Sequence, residues 1–175
     1  MCDIVNVLAF AMRPRFAKDD QFGRTKRPAM SAGALHPISV LIIPNRDDRR
    51  VFHYNSKEHC LESLQADESC VGQWLDQCEL VLPEADGSYL VFVADITVTG
   101  TVYERPESLI WRDAGALLQT IAIASTAFQL LFCPLGLLGS EIAAIFADPR
   151  RLVSAGAAVV GQAGRSQAIT GKTHD

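Results

Sequence analysis

Residues 114–140 read AGALLQTIAIASTAFQLLFCPLGLLGS and contain no charged side chain. How this stretch is read decides the fold. Its length permits a membrane span, which needs about 20 consecutive apolar residues. Gln119, Ser125, Thr126 and Gln129 interrupt the run, however, and Pro134, Gly136 and Gly139 break it near its end. A helix that is apolar on every side also suits the centre of a soluble domain or the core of a dimer. We take this second reading. It predicts a helix over 113–131, opened by Asp113 where the helix dipole favours an acid, and stopped by Cys133, Pro134, Leu135 and Gly136.

Toward the C-terminus, residues 139–146 predict a short helix with Ser140 as N-cap and Glu141 as a first-turn acid. GAAVVGQAGR (156–165) then reads as a short strand and a glycine turn, ahead of a polar tail over 166–175. Toward the N-terminus, TGTVYERPES (99–108) reads as a proline-bearing loop. Before it, SYLVFVADITV (88–98) is the strongest strand signal in the chain, and its unbroken apolar character implies cover on both faces. Helices are predicted over 57–64 and 70–82, separated by the polar QADES (65–69). A hairpin of strands 39–43 and 51–54 turns through NRDDRR (45–50). Residues 14–27 form an exposed basic connection. Residues 3–12 form a helix packed on the core, not a signal peptide, since no basic segment precedes the apolar run.

The chain has 175 residues, of which 49% are hydrophobic, enough for one compact domain with a real core. A net charge of -4 and a pI near 5.5 argue against nucleic acid, whose binding relies on neutralising phosphates. The basic residues are unevenly placed, with Arg13, Arg15, Lys18, Arg24, Lys26 and Arg27 crowded ahead of residue 30, where they can meet a small anion. Five cysteines without a Cys-x-x-Cys pair speak against zinc and against a disulfide framework, and so for reduced thiols in the cytoplasm. No metal site is expected, since His36, His53 and His59 are isolated. Ser31 lacks the Gly-x-Ser-x-Gly elbow, and the glycine-rich phosphate loops are absent.

One loop stands out. MSAGALHP (30–37) is a small-residue turn at the mouth of the strand 39–43, where free amides and a hydroxyl can approach a ligand closely.

Three stretches, RPAMSAGALHPISVLII (27–43) with VFHYNSKEHCLESL (51–64), then 103–139, then AAVVGQAGR (157–165), together resemble the nitroreductase superfamily of flavin-dependent oxidoreductases. The similarity is nearest to its SagB-type and McbC-like branch, which oxidises thiazoline and oxazoline rings in modified peptides. It implies an α+β fold, a mixed and mostly antiparallel central sheet flanked by helices, with the long helix at a homodimer interface. The domain would run from 27 to 165, after an N-terminal helix and basic connection (1–26). The resemblance also implies FMN, with Ser31, Ala32 and Gly33 beside the flavin and Pro134, Leu135 and Gly136 near its reactive side. Arg27 and Arg165 would serve its phosphate, Tyr103 is the catalytic candidate, and NAD(P)H is the transient electron donor. A small-molecule or peptide substrate, a cytoplasmic location and no membrane or nucleic-acid partner complete the expectation.

Two departures stand against the pattern. The arginine-rich segment with which superfamily members grip the phosphate does not appear, and Val102 occupies the place before Tyr103 where the azoline oxidases carry lysine. Thiazole or oxazole formation is therefore not assigned. A flavin-free scaffold or accessory subunit of the same fold is the alternative expectation.

Overall fold

The structure, a computed structural model, describes residues 2–146 and 151–162. Its centre is a six-stranded antiparallel sheet of β3 (Ile38–Ile43), β4 (Val51–Asn55), β5 (Cys60–Leu64), β6 (Ser88–Asp95), β7 (Leu131–Leu135) and β8 (Leu152–Gly161), in the order β5-β4-β3-β6-β8-β7. A separate two-stranded ribbon of β1 (Phe16–Ala17) and β2 (Thr25–Lys26) lies in the N-terminal connection. Two helices, α1 (Cys2–Met12) and α4 (Glu107–Ala127), cover one sheet face. The other face carries α2 (Glu68–Val81) and α5 (Ser140–Phe146). The short α3 (Ile96–Gly100) joins β6 toward α4.

Alternation along the strands builds this three-layer arrangement. Val40 and Ile42 of β3 with Leu90 and Phe92 of β6 point toward α1 and α4. Leu41 and Ile43 with Tyr89, Val91 and Val93 point toward α2 and α5, the period of two that a pleated strand imposes. Both faces are covered, as the apolar run of β6 requires. In β8 the phase slips once: Phe92 pairs with Gly156 and Val93 with Ser154, so Ala155 is the extra residue of a bulge. Gly156 takes φ 135° there. The bulge turns Ala155 to the same side as Ala158 and Val160.

The long helix is helix α4, but it runs over Glu107–Ala127, with Pro106 at its N-cap, instead of 113–131. Proline at the helix start is tolerated because the first amides lack intrahelical partners in any case. The chain then reverses through Phe128 and Gln129, the latter at φ 58°, and the Leu130 amide donates to the Ser125 carbonyl at 2.8 Å. The expected helix stop at Cys133 to Gly136 is instead mostly strand. Pro134 fits because β7 is an edge strand, where a missing amide breaks no ladder. Ile110, Ala114, Leu117, Ile121 and Ala124 form the buried stripe of α4. No helix among the described residues is long and apolar enough to cross a membrane.

Other expectations also shift. Residues 57–64 are not helical: Cys60, Leu61 and Leu64 mimic a helical spacing, yet β5 pairs residue by residue with β4. Asn55 turns the chain, its side-chain oxygen accepting from the Lys57 and Glu58 amides. The strand at 88 ends at Asp95, whose carboxylate caps α3 by accepting from the Thr97 amide. In α5 the Gly139 carbonyl accepts from the Ile142 and Ala143 amides, so the cap falls at Gly139 and Ser140 lies inside the helix. β8 begins earlier than residue 156, at Leu152.

Candidate functional site

The turn that enters β3 is held by three elements. Ser31, ahead of a single 3-10 turn over Ala32–Ala34, donates its hydroxyl to Asp113 Oδ2 at 2.6 Å, and the Ala32 amide donates to Asp113 Oδ1 at 2.9 Å. The His36 amide donates back to Ser31 Oγ at 2.9 Å. On the third side, His36 Nε2 lies 2.7 Å from the Thr25 carbonyl. A carbonyl only accepts, so this nitrogen carries the proton. Arg27 Nε donates to Thr25 Oγ1 at 2.9 Å, so β2 binds both Arg27 and His36.

Local sequence explains the shape. Gly33, Ala34 and His36 take φ values of 61°, 58° and 51°, left-handed geometry that is free for glycine and strained for the other two. A β-carbon on Gly33 would meet the Tyr103 hydroxyl at 3.0 Å. Tyr103, half-buried and just past α3, thus closes over the turn.

The charges are arranged with little compensation. Burial lowers the pKa of Arg27, with Tyr54 acting in the opposite direction, and Arg27 joins no ion pair among the described residues. Burial, assisted by Arg27, pulls His36 down to about 4 against the opposing pull of the Thr25 carbonyl and Asp113. The imidazole is therefore neutral near neutral pH. Burial raises Tyr54, while Arg13 and Arg27 draw it back, so this corner concentrates positive charge.

Two spaces adjoin the turn. One, of about 20 Å³, lies beneath it between Arg27, His36, Ile38 and Leu117, room for a water molecule and nothing larger. The other is an open groove of about 220 Å³ between the turn and the first turns of α4, lined by Met30, Ser31 and Ala32 on one side and by Leu109, Arg112, Asp113 and Ala116 on the other.

The expected site residues are therefore partly assembled. Arg27, Ser31, Ala32, Gly33 and Tyr103 come together. Pro134, Leu135 and Gly136 do not join them within one chain: Leu135 pairs with Ala157, that with Val91, and that with Leu41. Three strand spacings, about 14 Å, separate β7 from β3. Arg165 lies outside the described residues. Among the described residues no cluster suited to a metal ion occurs.

Asp113 holds the turn, and the sequence reading misplaced it. It is no first-turn acid but a buried carboxylate, 7% exposed, in the interior of α4. Its signal was present, since Ile110, Ala114 and Leu117 put residue 113 on the buried stripe once the helix starts at 107. Thr25 and the side chain of His36 carried no comparable signal, because a hairpin of two-residue strands has no readable period.

No protein-family model matches the chain, and no curated protein matches it either. Solved structures do. A protein described as a nitroreductase from Ralstonia eutropha aligns at TM-score 0.68 and 17% identity over 93% of this chain and 72% of that one. One described likewise from Anabaena variabilis gives 0.67 and 16%, over 91% of this chain and 34% of that one. A chain of the E. coli microcin synthetase McbBCD complex, solved with truncated pro-MccB17 bound, gives 0.64 and 17% over 93% of this chain. The present chain spans 63% of that synthetase chain, less than two thirds of its length. These likenesses establish a nitroreductase-like fold.

Proposed function

We propose that the protein is an FMN-dependent oxidoreductase of nitroreductase type that works as a homodimer. One observation carries the reading: the segment that leads into the left-handed turn, Met30 to Ala32, lines an open and mostly apolar groove, and Ser31 also borders the smaller space beside Arg27, a half-buried arginine that has no carboxylate partner among the described residues. A flat apolar ring bearing a phosphate needs such a pairing of an apolar wall with an unneutralised cation. Gly33 adds a place where any β-carbon would crowd Tyr103. The residues of one chain fit one wall of such a site.

Bound FMN would supply two-electron chemistry, taking up or giving up hydride at its ring. The chain's own part is binding and orientation. Arg27 attracts the anionic end, Ser31, Ala32 and Gly33 form the wall, and the Tyr103 hydroxyl can hold a proton beside Gly33. Pro134, Leu135 and Gly136 of the partner subunit complete the slot. Arg165 is a further candidate for the phosphate. NAD(P)H serves as a transient donor, and a small molecule or peptide is the substrate. The SagB-type and McbC-like branch is the nearest in kind, with Val102 where its ring oxidases carry lysine. The protein acts in the cytoplasm, without nucleic acid or membrane.

A specific observation favours a second reading, a flavin-free scaffold or accessory subunit. The Ser31 hydroxyl and the Ala32 amide are both committed to Asp113, which removes two donors from any ligand. The visible spectrum of the purified protein separates the two readings. A flavin band, or saturable uptake of added FMN, supports the oxidoreductase. Colourless protein whose titration with FMN leaves the flavin fluorescence unchanged overturns it in favour of the scaffold.

A further inference from the structure

Among the described residues Asp113 is the only charged side chain that is buried, and it takes part in no ion pair. It sits on the apolar stripe of α4 between Ile110, Ala114 and Leu117, where alanine or leucine would pack at no desolvation cost. Everything that compensates it comes from one short segment, the Ser31 hydroxyl and the Ala32 amide. Through Ser31 Oγ it also reaches the His36 amide. Hydrogen bonds to a charged acceptor are stronger than neutral ones, and these tie down a turn that contains two strained non-glycine residues, Ala34 and His36.

We infer that Asp113 is the positioning residue of the ligand-binding turn: it anchors Ser31 and Ala32, which line the groove, and through Ser31 Oγ the His36 amide, so holding the turn in which Gly33, Ala34 and His36 are left-handed; it borders the groove, but its oxygens are taken up by Ser31 and Ala32. The inference rests on the FMN reading for the identity of the ligand, but the clamp is testable without it. Removing the carboxylate charge weakens the anchor of the turn on α4 while the helix keeps its packing. The side-chain oxygen of Asn would still accept from Ala32, but its NH2 cannot accept from the Ser31 hydroxyl, so the charge-assisted bond to Oδ2 is replaced at best by a neutral one in the reverse direction.

The test uses the full-length protein and the variants Asp113→Asn, Ser31→Ala and Ser31→Thr. Hydrogen exchange at the Ala32 and His36 amides reads the clamp, and fluorescence titration with FMN reads the site. In Asp113→Asn and Ser31→Ala, exchange at those two amides should rise selectively, with β6 and α4 amides unchanged. FMN affinity should fall roughly tenfold, the loss of one charge-assisted hydrogen bond. The double variant should lose no more than either single one, and Ser31→Thr, which keeps the hydroxyl, should restore affinity. A purely structural Asp113 would lower Tm and raise exchange throughout while leaving FMN affinity measured well below Tm unchanged, which overturns the inference. Wild-type protein that takes up no FMN overturns the oxidoreductase reading instead, and exchange at Ala32 and His36 then decides the clamp alone.

Discussion

Tyr103 stands over Gly33 so closely that its hydroxyl oxygen is 3.0 Å from the position a β-carbon on that glycine would take. Gly33 is thus constrained twice, by its φ of 61° and by its neighbour. The left-handed conformation alone costs an alanine about 1–2 kcal/mol, and the contact with Tyr103 adds to it. Gly33→Ala should therefore lower stability by about 1–2 kcal/mol or slightly more, read as a shift in the urea midpoint. Removing the hydroxyl with Tyr103→Phe should relieve the contact but not the dihedral strain. The double variant should then be more stable than the sum of the two single changes predicts, and strict additivity would remove the contact from the account.

The layers of this fold were legible because their signals are long apolar runs. The nearly continuous apolar character of β3 and β6 and the long uncharged run of α4 place the sheet and its main covering helix without any partner information. Shorter features were not. Residues 60 to 64 carry a spacing that serves helix or strand equally, and only pairing with β4 decides it. The start of α4 was missed because Pro106 looked like a loop signal, and that error displaced Asp113 from the core to a helix end. The small-residue turn was legible from its composition as a tight bend at the mouth of β3. Its attachment to Thr25 and Asp113 depends on contacts across 11 and 82 positions of sequence, which no local pattern encodes.

His36 gives the stability a pH dependence of known sign. Its pKa falls from the ordinary 6.5 to about 4 in the folded protein, mainly by burial. The unfolded chain therefore binds a proton at a pH where the native one does not. The contribution is complete above about 6.5 and is lost progressively as pH falls toward 4, with no further loss from this group below that. Urea midpoints at pH 7.5, 5.5 and 4.5 should decrease in that order. In His36→Asn, which tolerates the left-handed backbone, the decrease should be smaller. An equal slope in both proteins would assign the pH dependence elsewhere.

Ile121 and Ile123 lie two residues apart on α4, one fully buried and the other 59% exposed. Ile121→Ala opens a cavity against the sheet and should cost about 2–5 kcal/mol. Ile123 is exposed, as are Trp111 near the start of α4 and Phe128 just past its end, and the proposed homodimer would cover it. Ile123→Glu should leave the fold intact yet shift the protein from dimer to monomer in sedimentation equilibrium. Wild-type protein that sediments as a monomer at high micromolar concentration would end the homodimer expectation.

Cys78 and Cys60 should differ sharply in reactivity. Cys78 is fully buried on α2 against the sheet, and burial, with Glu141 adding to it, pushes its thiol up to about 12. Cys60 opens β5 and is exposed. The thiolate is the reactive species, so at pH 8 an alkylating reagent should modify Cys60 within the time of mixing and waiting. Cys78 should react only when α2 leaves the sheet, at a rate that follows global opening and rises with urea as the overall stability falls. Peptide mass spectrometry of timed samples resolves the two sites. Equal rates in the absence of denaturant would mean that α2 opens locally, and that the α2 and α5 layer is less firmly attached than its apolar contacts with Val91 and Val93 imply.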